Sequence, residues 1–330
     1  MMLMVIPTVL YSISNSTHDV KAAGYAMEED SSVIEEGRDI IEYFPDKDFA
    51  KYVYEEVLGR SNWETDKYQY DLTYADIDTI QNATIIDIGG SSIKDVTGIE
   101  NFTALEMLNV TGCNNLKKLD LTHNKALTKI AASISGIETI NISENRLLTS
   151  LQVAYCRNLT QLNTSNNPAL TELLVYNSGL TEINLTNNEA LETLYVDGTN
   201  LTELNINNNK LLKKLSVVGA NITELDVRNN EKLNYLNASS TRITEIDVTN
   251  NKELEELDVH NTYLTELNVT NNKELKELYV YDTNLTELDV TNNKLLTSLY
   301  IFNTGIKKID LSNQPTLING LQNSRIEVIK

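Results

Sequence analysis

The sequence predicts a solenoid, a right-handed, β-rich superhelix of about 11–12 turns of 21–22 residues with a helical cap at its N-terminal end. Three observations carry that expectation. Leucine and isoleucine recur at a fixed interval, as in the series Leu180, Leu201, Ile222, Ile243, Leu264, Leu285 and Ile306 and in the series Leu191, Leu212, Leu233, Leu254, Leu275, Leu296 and Leu317. Between those positions the chain alternates apolar and polar residues with period two, which is the signature of a half-buried strand. Ahead of the repeats the apolar spacing changes to that of helices.

Each period holds two half-units. One reads L-x-x-L-x-V-x-x-T, as from Leu191 to Thr199. The other reads L-T-E-L-x-V-x-N-N, as from Leu264 to Asn272. We call them the variable and the constant half. The variable half fits the leucine-rich-repeat pattern L-x-x-L-x-L-x-x-N-x-L, with Thr in the Asn place. One strand is expected in each half, with leucines and valines inward. In the variable half the strand positions begin near Ile86, Leu108, Ile130, Leu151, Leu173, Leu194, Leu215, Leu236, Leu257, Leu278 and Leu299. Residues 317–328 suggest a degenerate last turn. Strands ~4.8 Å apart give such a stack a length of roughly 50 Å. Because both halves are extended, the solenoid is expected to be flatter than a horseshoe backed by helices.

The cap is expected over residues 38–82 and the leucine-rich-repeat domain over residues 83–330. Pro45 and Asp46, followed by Phe49, Val53 and Val57 and then Gly59, read as an amphipathic helix with a proline start and a glycine stop. Thr73 and Asp76, followed by Ile77 and Ile80, read as a second helix opened by a capping box. A solenoid's first coil exposes an apolar cross-section that such helices can cover. Residues 1–23 begin with an apolar run to Ile13, turn polar and reach Ala22, the pattern of a signal peptide without its basic start. Residues 24–37 are acidic and poor in apolar residues, as a disordered linker would be.

The cap residues from Tyr43 to Gly59, the stretch from Tyr74 to Ile80, and the first repeat from Ile86 through Val96 and Ile99 to Phe102 resemble the internalin family of bacterial leucine-rich-repeat surface proteins. From Leu116 onward the chain departs from that pattern: the family's convex segment of short helical turns is replaced by the constant half. The resemblance implies a secreted or cell-surface protein, of Gram-positive origin, that binds molecules on host or microbial surfaces. It identifies no receptor.

Composition narrows the function. The formal net charge of −20 disfavours nucleic acid and anionic membrane surfaces as partners. Two cysteines, Cys113 and Cys156, form no disulfide framework and no metal cluster, and read as small buried thiols. No nucleophile elbow, zinc-protease helix or phosphate loop occurs, and His18, His123 and His260 are far apart. No enzyme, no cofactor and no metal are expected, nor membrane insertion after signal removal.

The contrast between the halves points to a binding face. The outward residue between Leu and Val of the constant half is Asn or Asp in every turn from Asp120 to Asp310. The matching columns of the variable half hold many residue types, with aromatics at both ends. From them we select Tyr176, Tyr195, Asp258, His260, Tyr279, Tyr281, Tyr300 and Phe302 as the candidate ligand-binding face for a protein or a glycan. Strand propensity alone also enriches tyrosine in such places. A spacer that merely projects something from the cell is the alternative. It would show a patch no more apolar than the opposite face and no saturable ligand.

Two further columns read as structural. Asn124, Asn145, Asn167, Asn188, Asn209, Asn230, Asn251, Asn272 and Asn293 form a ladder whose amides can satisfy turn carbonyls. Glu182, Glu203, Glu224, Glu245, Glu266 and Glu287 form an acidic column, expected to be solvated and partly offset by Lys210, Lys252, Lys273 and Lys294. A flat column does not converge on a calcium ion.

Overall fold

The structure is a computed structural model that describes residues 34–63, 70–315, 317 and 326–329. The expected signal peptide, His18 and all but the last residues of the expected linker lie outside the described residues. The described chain is a short helical cap followed by a parallel β-solenoid of about eleven turns.

The cap holds three α-helices: α1 (Ile40–Tyr43), α2 (Lys47–Tyr52) and α3 (Tyr74–Asn82). The single helix expected after Pro45 is therefore α2, extended by one wide turn over Val53–Val57 in which the Leu58 N–H reaches the Val53 carbonyl at 2.9 Å. Asp46 caps α2 through the N–H groups of Asp48 and Phe49. Its other oxygen accepts from the N–H groups of Lys94 and Asp95, which ties the cap to the first coil. Thr73 and Asp76 form the reciprocal capping box that opens α3. Phe44, Phe49 and Phe102 bury their rings together where cap meets solenoid, with centroids 5.6–6.4 Å apart. Gly98 sits in this wall at φ +100°, and a Cβ there would lie 2.4 Å from the Phe44 ring.

One parallel sheet of eleven strands runs the length of the solenoid, from Ile85–Asp87 through Thr193–Tyr195 to Ser298–Tyr300. Its register places Leu194 beside Leu215, Leu257 beside Leu278 and Leu278 beside Leu299. Every strand of this sheet belongs to the variable half. Adjacent turns also bond beyond the strand, as where the Gly198 N–H reaches the Val218 carbonyl at 2.7 Å. The central leucines and the valines that follow them are completely buried and fill one continuous core.

The constant half behaves differently from expectation. Only Lys118–Asp120 with Thr139–Asn141, and Lys308–Asp310 with Glu327–Ile329, pair as strands there, with one isolated bridge between Asn163 and Asn184. A backbone ladder needs neighbouring turns about 4.8 Å apart, and a stack whose two flanks differ in spacing meets that on one flank alone. This solenoid keeps the ladder on the variable flank. On the other flank a groove of about 940 Å³ runs between Glu138 and Asp226, floored by Ile140, Leu162, Ile183 and Leu204. Among the described residues the only helical segment within the repeats is the single turn Ile99–Asn101. None of their helices is long and apolar enough to cross a membrane.

Candidate binding face

The eleven-stranded sheet points alternate side chains outward, and all eight candidate residues project from it or from the two residues that follow each strand. They do not form one patch. The structure gathers Asp258, His260, Tyr279, Tyr281, Tyr300 and Phe302 at the C-terminal end, in two rows that each cross successive turns, the second row two residues further along the chain than the first. In the first row Tyr279 and Tyr300 stack with centroids 5.0 Å apart and planes 7° apart. In the second, His260 stacks on Tyr281 at 4.3 Å and Tyr281 on Phe302 at 4.5 Å. The sequence produces these rows because residues at the same place in consecutive turns meet at strand spacing. Phe302 is exposed and the other five are half-buried.

Tyr195 and Tyr176 lie elsewhere. Tyr195 tilts against Tyr235 two turns on, with centroids 6.4 Å apart. Tyr176 meets Tyr155 edge to face at 5.4 Å, nearer the cap. Tyr155 and the exposed Ile134 occupy the tip of the turn after the strand in left-handed conformations, at φ +59° and +56°. That place holds Gly112, Gly198 and Gly219 in other turns, which have no Cβ to strain. An isoleucine there is sterically costly.

A third outward column escaped the sequence reading. It stands immediately before the inward leucine and includes Lys214, Tyr235, Glu256 and Glu277. Period-two alternation alone would have found it, since it is outward for the same reason as Tyr279. It makes the C-terminal end acidic as well as aromatic. The Tyr279 hydroxyl donates to Glu277 at 2.5 Å, and Asp258 holds the His260 ring at 2.6 Å. Burial, and then the negative charges of Glu277 and Asp258, push the Glu256 carboxyl above its usual range. Burial and the bond to Glu277 push the Tyr279 hydroxyl up. In the middle of the face Asp197 accepts from Ser216 and from the Val218 N–H, and burial raises its carboxyl.

The constant flank spends its side chains on itself. Each outward Asn or Asp from Asp120 to Asp310 accepts the N–H two residues on, as Asp247 does from Thr249 and Asn268 from Thr270. Such a turn needs an acceptor on a short side chain, which accounts for the uniform column. Each ladder asparagine donates to two carbonyls of the preceding turn. Asn230 reaches Ile206 at 3.1 Å and Asn209 at 2.9 Å, and Asn272 reaches Val248 and Asn251. Asn124, Asn145, Asn167, Asn188, Asn209, Asn251 and Asn293 do likewise. Gln314 takes the next place, donating to Val290. A second, exposed row including Asn187, Asn208 and Asn271 also bonds the preceding turn.

Cys113 and Cys156 are buried and free. Each lies against a serine and donates to a carbonyl of the preceding turn, at Ile88 and Ala132. The expected offset of the acidic column by Lys210, Lys252, Lys273 and Lys294 is not seen. Among the described residues the ion pairs between turns run along other rows, such as Lys213 with Glu192, Lys232 with Glu253 and Lys276 with Glu255. No described group of His, Cys, Asp and Glu is arranged to hold a metal ion.

The comparisons with known proteins agree with this architecture. The family model for the leucine-rich-repeat domain of the endo-beta-N-acetylglucosaminidase EndoS matches residues 44–167. The functional domain of InlJ from Listeria monocytogenes, described as including a cysteine ladder, is 30% identical. It aligns over 87% of this chain and 71% of its own, with a TM-score of 0.63. The internalin InlF from the same organism is 20% identical over 89% of this chain and 97% of its own, with a TM-score of 0.55, and supports the fold alone. No curated protein sequence matches. On the identity to InlJ, carried over most of both chains, this chain belongs to the internalin-like family of bacterial leucine-rich-repeat proteins.

Proposed function

We propose that the chain is an exported binding module that recognises a protein on a host or microbial surface through the outward side chains of its variable strand face. The observation that carries this reading is the pair of aromatic rows at the C-terminal end, Tyr279 with Tyr300 and His260 with Tyr281 and Phe302. Large rings fixed on a rigid sheet offer contact area at little entropic cost. No aromatic stands in the outward columns of the constant half. A spacer has no need of that asymmetry. The kinship with InlJ supports a binding role rather than catalysis, and the expected leader at residues 1–23 supports export.

A glycan is the second reading. Flat aromatic rows suit sugar faces, and the matching family model is named for a domain of an endo-beta-N-acetylglucosaminidase. Capture from host-cell and bacterial surface extracts, beside a glycan array, separates the two. Both are run with the full chain and with a Tyr279→Ala, Phe302→Ala variant. The proposal expects a saturable protein partner that the variant fails to hold. A saturable partner retained by the variant would move recognition away from these rows and overturn the proposal, and no saturable ligand at all would leave the spacer.

A further inference from the structure

Resting on that reading of the face, we propose that its C-terminal end takes a cationic side chain, an arginine or lysine of the protein partner, against the Tyr279–Tyr300 stack and between the carboxylates of Glu256, Glu277 and Asp258. Three features of the site converge on a cation. Glu256 and Glu277 are register neighbours on adjacent strands, as are Asp258 and Tyr279, so three carboxylates and the ring share two turns. All three carboxylates are half-buried. Like charges placed opposite each other on a sheet repel, more strongly as water is withdrawn.

The charge of Glu256 and Glu277 is not met from within. Among the described residues no ion pair includes Glu256 or Glu277, and the nearby Lys276 turns to Glu255 on the outer side of its turn. Glu277 accepts only the Tyr279 hydroxyl, and Asp258 only the His260 ring and backbone N–H and the Asn237 amide. Tyr279 uses one ring face on Tyr300, which leaves the other towards the Asp258 turn. A guanidinium lying on an aromatic face while its edge pairs with carboxylates uses both features at once. Burial against a partner strengthens both interactions, and a neutral or anionic partner residue there would leave the carboxylates desolvated and unpaired. The elevated Glu256 carboxyl is the same strain seen in the free protein.

An array of random dodecapeptides probed with the full chain tests this. The strongest binders are resynthesised with citrulline for arginine, which keeps the shape and removes the charge. We expect arginine and lysine to be enriched among binders, and citrulline to weaken binding about ten-fold or more. A Glu256→Gln, Glu277→Gln variant should lose as much. A Glu203→Gln, Glu224→Gln variant, which removes the same charge from the constant flank, should bind as the parent does. Equal losses in the two glutamine variants would reduce the effect to the chain's overall negative charge and overturn the inference. So would binders without a cation, citrulline peptides that bind equally, or an array without binders. Binding kept by the Glu256 and Glu277 variant but lost with Tyr279→Ala, Phe302→Ala overturns the cation and leaves the face. Binding kept by both overturns both.

Discussion

The two flanks of each coil solve the same problem with different parts of the chain. On the variable flank, turns hold each other through backbone hydrogen bonds of one long parallel sheet. That ladder asks nothing of the outward side chains, so the place that holds Ala131 in one turn holds Tyr195 or Tyr300 in others. On the constant flank most of the ladder is missing, and side chains replace it. Outward Asn and Asp close each turn, and buried asparagine amides reach the carbonyls of the turn before. A residue committed to such a bond is not free to change. Monotony on one side and diversity on the other thus follow from which atoms hold adjacent turns together.

The largest effect that would sharpen this contrast is on binding. Tyr279→Ala with Phe302→Ala should weaken the partner at least about 100-fold, while circular dichroism and cooperative unfolding persist, since neither ring is in the core. The next is on stability. Asn230→Ala strips two bonds from buried carbonyls and should cost roughly 2–4 kcal/mol in urea unfolding, with affinity unchanged. A loss of affinity without loss of stability would break the division between flanks.

Smaller and opposite in sign is Ile134→Gly. The left-handed backbone at φ +56° disfavours a branched residue by about 1–2 kcal/mol, and Ile134 is exposed, so the glycine variant should be the more stable by about 1 kcal/mol after its own entropy cost. Thermal or urea unfolding decides it. The smallest effect concerns Asp226. The Arg228 side chain, and then its N–H, hold the Asp226 carboxyl down at about 2. A depressed folded value means the contribution is complete above the unfolded value of about 3.9 and is lost as pH falls through about 2. The parent should therefore exceed Asp226→Asn by a constant, slight margin at about pH 5–7 that shrinks on acidification and vanishes below about pH 2. A margin that grows on acidification would contradict that linkage.

Much of the fold was legible because it is written as periodicity. Leu194, Leu215 and Leu236 fall where an inward strand residue must recur, and Thr73 with Asp76 announces a helix start by chemistry that needs no tertiary context. The loss of strands from the constant half was not legible, because L-x-V alternates there as regularly as on the other flank and the spacing of turns on each flank is a property of the whole stack. At the candidate face the rows at Tyr279 and Phe302 follow from the repeat length. The pairing of Tyr195 with Tyr235 does not, since it depends on rings leaning across the Ser216 turn. Glu256 and Glu277 were within reach of the same alternation that exposed Tyr279. The raised Glu256 carboxyl was not, because it depends on how deeply the folded sheet buries that group and how near it brings Glu277 and Asp258.

The division between flanks is tested most directly by hydroxyl-radical footprinting of the full chain with and without its captured surface partner. Protection should appear at Tyr279, Tyr281, Tyr300 and Phe302, with the floor of the opposite groove at Ile183 and Leu204 unchanged. Protection of that groove with the four rings left as reactive as in the free chain would contradict the account.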